Sequence, residues 1–136
     1  MRRADESGSA AVETVIIVPV LVALLMFAVF GGRLAAAKNH VVSAAQDAAR
    51  AASLRDDAAA AAADATAAAE SSLDAAGVAC SSRDVAVDAN LEPGGLVQVT
   101  VSCTSPLSDL TLLGLPGSRT LSATAAERVD AYRSEP

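Results

Sequence analysis

The sequence predicts an α+β protein. A long N-terminal helix crosses a membrane and extends outward, a second alanine-rich helix follows, and a small antiparallel sheet linked by a disulfide comes last. Three observations predict it. Large apolar side chains are concentrated near the N-terminus, with 14 of the 38 that are not alanine between Val12 and Phe30. An alanine tract runs from Ala58 to Ala69. After Gly77 the pattern changes to alternation of valine with polar residues, the period of a half-buried strand.

The first helix follows from length and hydropathy. Thr14 to Gly32, TVIIVPVLVALLMFAVFGG, is uncharged throughout. At about 1.5 Å per residue it reaches roughly 28 Å, close to the ~30 Å hydrocarbon thickness of a bilayer. A buried core helix is the alternative, but the rest of the chain carries too few large apolar groups to surround it. Beyond the span, Phe27, Phe30, Leu34, Ala37, Val41, Ala44, Ala48 and Ala51 recur at spacings of 3 and 4, with Arg33, Asn39, His40, Gln46, Asp47 and Arg50 on the other faces. One helix from about Ser9 to Ser53 is expected, roughly 67 Å long. Pro19 is expected to bend it by deleting a backbone hydrogen bond, and Gly31-Gly32 is a second candidate for a kink.

The second helix starts at an N-cap on Asp56 or Asp57 and stops at Gly77. Its large apolar partners are Leu54 and Leu73 alone, so weak docking is expected. Val85, Val87 and Ala89, then Val97, Val99 and Val101, form a hairpin around Leu91-Glu92-Pro93-Gly94-Gly95. A third strand is expected over Thr120–Val129, and Ser105–Ser118 reads as a loop carrying Leu107, Leu110, Leu112, Leu113 and Leu115.

The two cysteines, Cys80 and Cys103, have neither a CxxC spacing nor nearby histidines. They suit a disulfide in an oxidising compartment better than a metal site, with two buried free thiols as the alternative. Both fall at the same end of the hairpin, and a bridge there would contribute on the order of 3 kcal/mol. This puts the C-terminal part outside the cytoplasm, which charge alone does not decide: Arg2 and Arg3 precede the span, and Arg33, Lys38 and Arg50 follow it.

Composition excludes several functions. Ten basic against 16 acidic residues, net −6, leave no basic footprint for nucleic acid. Three aromatic residues, none of them tryptophan, argue against an aromatic-lined pocket and hence against a small-molecule substrate. His40 stands alone, without a nucleophile or second ligand, and no phosphate loop or zinc spacing occurs. No catalytic residue, metal or cofactor is expected.

Glu13 is the most informative position. A carboxylate at the start of a spanning helix is costly and calls for a partner, unless it sits among lipid headgroups. It is the fifth residue after Gly8 in Gly8-Ser9-Ala10-Ala11-Val12-Glu13, behind a short charged leader and ahead of the apolar run. This resembles the processing site of type IV pilin-like proteins. The stretch from Gly8 to Ser53, with Pro19 in the apolar helix and its AAR repeats, is similar to the TadE-like minor pseudopilins of tight-adherence pilus systems. Thr14 stands where an aromatic residue commonly follows the glutamate.

The resemblance implies a pilin-like fold and a structural or assembly subunit of a pilus. It implies cleavage by prepilin peptidase between Gly8 and Ser9, and pairing of Glu13 with the new α-amino group of an adjacent subunit. The implied partners are other pilin or pseudopilin subunits, the assembly machinery, the peptidase and the lipid bilayer. The implied layout is a cytoplasmic leader over 1–8, a membrane helix over 9–32, extracytoplasmic helices over 33–76 and a β-rich region over 77–136. Two alternatives stand beside it. Ala35-Ala36-Ala37 could end a secretory signal, releasing a small binding domain at Lys38, or the chain could be an unrelated single-pass anchor.

Overall fold

The computed structural model describes residues 6–110, 114 and 116–132. They form α1 (Glu6–Ser53), α2 (Ala58–Ala75), β1 (Ser82–Ala89), β2 (Leu96–Pro106), α3 (Leu107–Leu110) and β3 (Ser118–Arg128). The three strands make one antiparallel sheet in the order β1-β2-β3. The chain divides into two compact units, Met1–Arg33 and Leu34–Pro136.

In the second unit the core lies between the helices and one face of the sheet. Alternate residues of β2, namely Val97, Val99, Val101, Cys103 and Ser105, are all buried. The registers Val85↔Val101↔Ala123 and Val87↔Val99↔Ala125 put the valines of β1 and the alanines of β3 on that same face. The opposite face is hydroxyl-rich, with Thr100 paired to Thr124 at 2.8 Å and Thr104 to Thr120 at 2.9 Å.

From Leu34 onward, α1 contributes Ala37, Val41, Ala44, Ala45, Ala48, Ala49 and Ala52 to the core. The expected stripe is therefore present but wider, while Phe27, which the spacing placed at its head, is exposed. Helix α2 starts at Asp57, whose Oδ2 accepts a hydrogen bond from the Ala60 amide at 2.9 Å. It ends where Gly77 takes φ +68°, a conformation suited to glycine.

The docking of α2 is stronger than its composition foretold. Ala61, Ala65 and Ala69 are fully buried and Leu73 nearly so. The reason is spacing: four residues at intervals of four make one narrow face, and small side chains let it approach its neighbours closely. Two ion pairs add to it, Arg55 with Asp64 and Arg83 with Asp74.

The segment expected as a loop over Ser105–Ser118 is shorter than foretold. Strand β2 runs on to Pro106, α3 follows, and β3 begins at Ser118, opposite Pro106. Pro106 is tolerated because its missing amide lies opposite no residue of β1, whose pairing stops at Thr104. Leu112, Leu113 and Leu115 lie outside the described residues. In the β1–β2 turn, a Cβ on Gly95 would run into the carbonyl oxygens of Asn90 and Glu92, so only glycine fits there.

Cys80 and Cys103 form a disulfide, with Cα atoms 5.4 Å apart. Beside it the buried Ser105 hydroxyl donates to the Ala79 carbonyl at 2.8 Å, fixing the segment that leads from α2 into β1.

Candidate functional site

The first unit is built around α1 alone, and its side chains present the reverse of a soluble core. Val12, Val15, Ile16, Ile17, Val18, Val20, Leu21, Val22, Leu24, Leu25, Met26, Phe27 and Val29 are all exposed, Phe27 to 74%. Helix α1 is long and apolar enough to cross a membrane, and its most apolar window has a mean hydropathy of 2.8 with none of it buried. Large apolar groups around the whole circumference have no partner among the described residues. A bilayer or the helices of other subunits would supply one.

Gly8 and Ser9 lie in the first turns of α1. Glu13 is on the same helix, exposed, and makes no ion pair among the described residues. The helix thus carries a carboxylate one residue before the uncharged run that begins at Thr14. Pro19 sits inside α1 without ending it. Its ring removes the amide that would bond to the Val15 carbonyl one turn back. Gly31 and Gly32 also lie within the helix, with open space around each α-carbon.

The sequence puts Ser9, Glu13 and Pro19 on one helix, and the structure does the same; its helix starts earlier, at Glu6, so Gly8, expected in the leader, also lies within it. Ala37, the alternative signal cleavage position, is inside α1 and buried. His40 is exposed on the polar side of the same helix. The residues missed by sequence reasoning are Asp74 and Arg83. Arg83 Nη2 donates to Asp74 Oδ1 at 2.6 Å, joining the last turn of α2 to the start of β1. The hydrogen bond that Arg83 donates to Asp74 raises the Arg83 pKa, opposed by desolvation and helped by the charges of Asp74 and Glu70. No local pattern pairs two residues nine positions apart across a turn, so neither spacing nor composition could have found this contact.

A groove of about 430 Å³ runs between α1 and β3 in the second unit, lined by Gln46, Asp47, Arg50 and the β3 residues Thr124 to Glu127. Its lining has neither a nucleophile–base pair nor a set of metal ligands, and it reads as a surface for contact.

Comparison with known proteins agrees with the resemblance. Residues 8–50 match the family of TadE-like proteins. No curated protein and no solved structure matches the chain. The matched segment covers Gly8, Ser9, Glu13, Pro19, the exposed apolar run and the start of the buried alanine stripe. Residues 8–50, about a third of the chain, are thus similar to TadE-like proteins.

Proposed function

We propose that this chain is a structural subunit of a tight-adherence pilus, a minor pseudopilin that prepilin peptidase cleaves between Gly8 and Ser9. The observation that carries the reading is register. Gly8, Glu13 and the uncharged run from Thr14 to Gly32 follow one another on one helix, whose large apolar side chains from Val12 to Val29 are all exposed. Such a helix needs a surrounding, and subunit helices packed in or above a bilayer provide it.

In this reading, cleavage frees an α-amino group at Ser9. Within a low-dielectric bundle that cation satisfies the Glu13 carboxylate of an adjacent subunit, because an unpaired charge there is expensive. Glu13 sets the axial register of one helix against the next. Pro19 bends the helix within the span, and the Leu34–Pro136 unit, with its disulfide, stands outside the cytoplasm. Other pilins and the assembly machinery contact the N-terminal helix. The chain itself performs no chemistry.

N-terminal sequencing and intact mass of the mature protein test the cleavage. Ser9 as the first residue supports it. Lys38 would mean a signal peptidase product, and Met1 an unprocessed anchor; either overturns it. The pairing role has its own test: Glu13→Ala should insert normally but fail to co-purify with partner pilins, and normal co-purification sinks it.

A further inference from the structure

Strand β3 is an edge strand, paired with β2 on one side only among the described residues. Which of its backbone groups are free follows from the ladder. Leu107 N bonds to Gly117 O at 2.9 Å, and Val129 N bonds to Gly95 O at 2.9 Å. Hydrogen-bonded positions alternate along an antiparallel strand, so the odd residues 117 to 129 direct their amides and carbonyls at β2. The even ones, Ser118, Thr120, Ser122, Thr124, Ala126 and Arg128, direct theirs outward.

An open row of this kind is a template for another strand, and proteins usually blunt it with charges, prolines or bulges. Thr120 to Ala126 carries neither a charge nor a proline. The exposed charges that flank it on the helix-bearing face have opposite sign: Arg119 lies four residues before Ala123 and Glu127 four residues after it. Neither makes an ion pair among the described residues. The groove beside Thr124 to Glu127 leaves space along this edge.

We propose that two copies of this chain associate through their β3 edges, antiparallel about a two-fold axis at Ala123, so that the two sheets become one of six strands. The register is self-complementary. Ser122 faces Thr124 of the second copy and Thr120 faces its Ala126, all even positions with free backbone groups. Arg119 faces Glu127, and by symmetry Glu127 faces Arg119, so one register forms two opposite-charge pairs. Arg128 falls opposite Ser118, and no like charges meet. A shift by one residue would set odd positions against even ones and bring outward-facing amides and carbonyls against strand positions whose own groups are already used by β2.

The occupant is a second copy because the charge pattern complements its own reverse. The interface is independent of cleavage after Gly8 and of the pilus reading. It lies wholly within the Leu34–Pro136 unit.

A charge-swap cycle tests it, read as the dimer dissociation constant of the full chain in detergent micelles by sedimentation. Each single reversal, Arg119→Glu or Glu127→Arg, turns both pairs repulsive and should weaken the dimer by about tenfold, cross-strand pairs being small individually. The double variant should restore it, and added salt should flatten the difference. Ser122→Pro is the second probe. It removes an outward amide and no ladder bond to β2, so the dimer should be lost while the thermal transition and the Cys80–Cys103 bridge persist. A chain that stays monomeric overturns the proposal. So does a dimer indifferent to both single reversals, as association through the apolar helix would be, or a double variant that fails to recover.

Discussion

The two ends of α1 obey opposite rules. Before Arg33 the helix exposes its largest side chains, thirteen valines, leucines, isoleucines, methionine and phenylalanine among them; after Leu34 it buries mostly alanine. In water the reverse arrangement, large groups inside and small ones indifferent, would give more burial. The difference teaches that the two stretches are built for different surroundings. The first has its apolar area turned outward, toward lipid or neighbouring helices. The second packs against its own chain, its buried apolar groups being Val41 and otherwise alanine methyl groups.

The contrast can be broken from the side of the Leu34–Pro136 unit, where the largest effect is expected. Its core is made mostly of valines and alanines, with only Leu73 and Leu121 larger among the described residues, so a cross-link counts for much. The Cys80–Cys103 bridge spans 23 residues. Replacing both cysteines by serine should cost about 3.4 kcal/mol by the loop-entropy relation. Denaturant unfolding of the variant would check it. Insertion of the apolar helix should not change, because no cysteine lies there.

The reciprocal experiment acts on the first unit. Leu21 is half exposed in the middle of the apolar run. Leu21→Arg should raise the free energy of membrane insertion by about 3 kcal/mol, the value for a charge at a helix centre. Membrane fractionation or a glycosylation-site insertion assay reads it. The thermal transition of the Leu34–Pro136 unit should stay within error, and a matching loss there would show that the two stretches are not independent.

Much of this was legible in the sequence because the signals are periodic and local. The uncharged run before Gly32, the Asp57 cap, the Gly77 stop and the valine alternation on β1 and β2 each state their own conformation. Of the candidate site, the placement of Ser9, Glu13 and Pro19 on one helix was legible for the same reason, whereas the start of the helix at Glu6, which takes in Gly8, was not. The rest depends on tertiary distance. The extension of β2 to Pro106 is set by pairing with Ser118 and Arg119, which no window of sequence contains. The tight docking of α2 was misjudged because alanine counts as little burial in a composition, whereas its benefit lies in how near it lets two backbones come.

That last point can be sharpened. Ala48 is fully buried on α1. Ala48→Leu adds methylenes at a fully buried position and should destabilise the Leu34–Pro136 unit by about 2 kcal/mol. The same exchange at Ala28, in the exposed run, should be nearly neutral for insertion or slightly favourable. Equal effects at the two positions would abolish the distinction between the two stretches.

The smallest effect is expected at Arg83, where α2 and β1 meet. Its side chain is 27% exposed and that of Asp74 is 65% exposed, so water competes for the pair. Arg83→Ala should cost about 0.5 kcal/mol, within the range for solvent-exposed ion pairs. The pH dependence follows from the direction of the shift. Asp74 holds the folded-state pKa of Arg83 above its ordinary value. The contribution of the guanidinium is therefore complete below that value and lost only as pH rises through the raised one. Between pH 6 and pH 9 the deficit of Arg83→Ala should be constant, as two thermal melts would show. A deficit that changes across that interval would mean that another titrating group, not the arginine, governs how α2 is tied to the sheet.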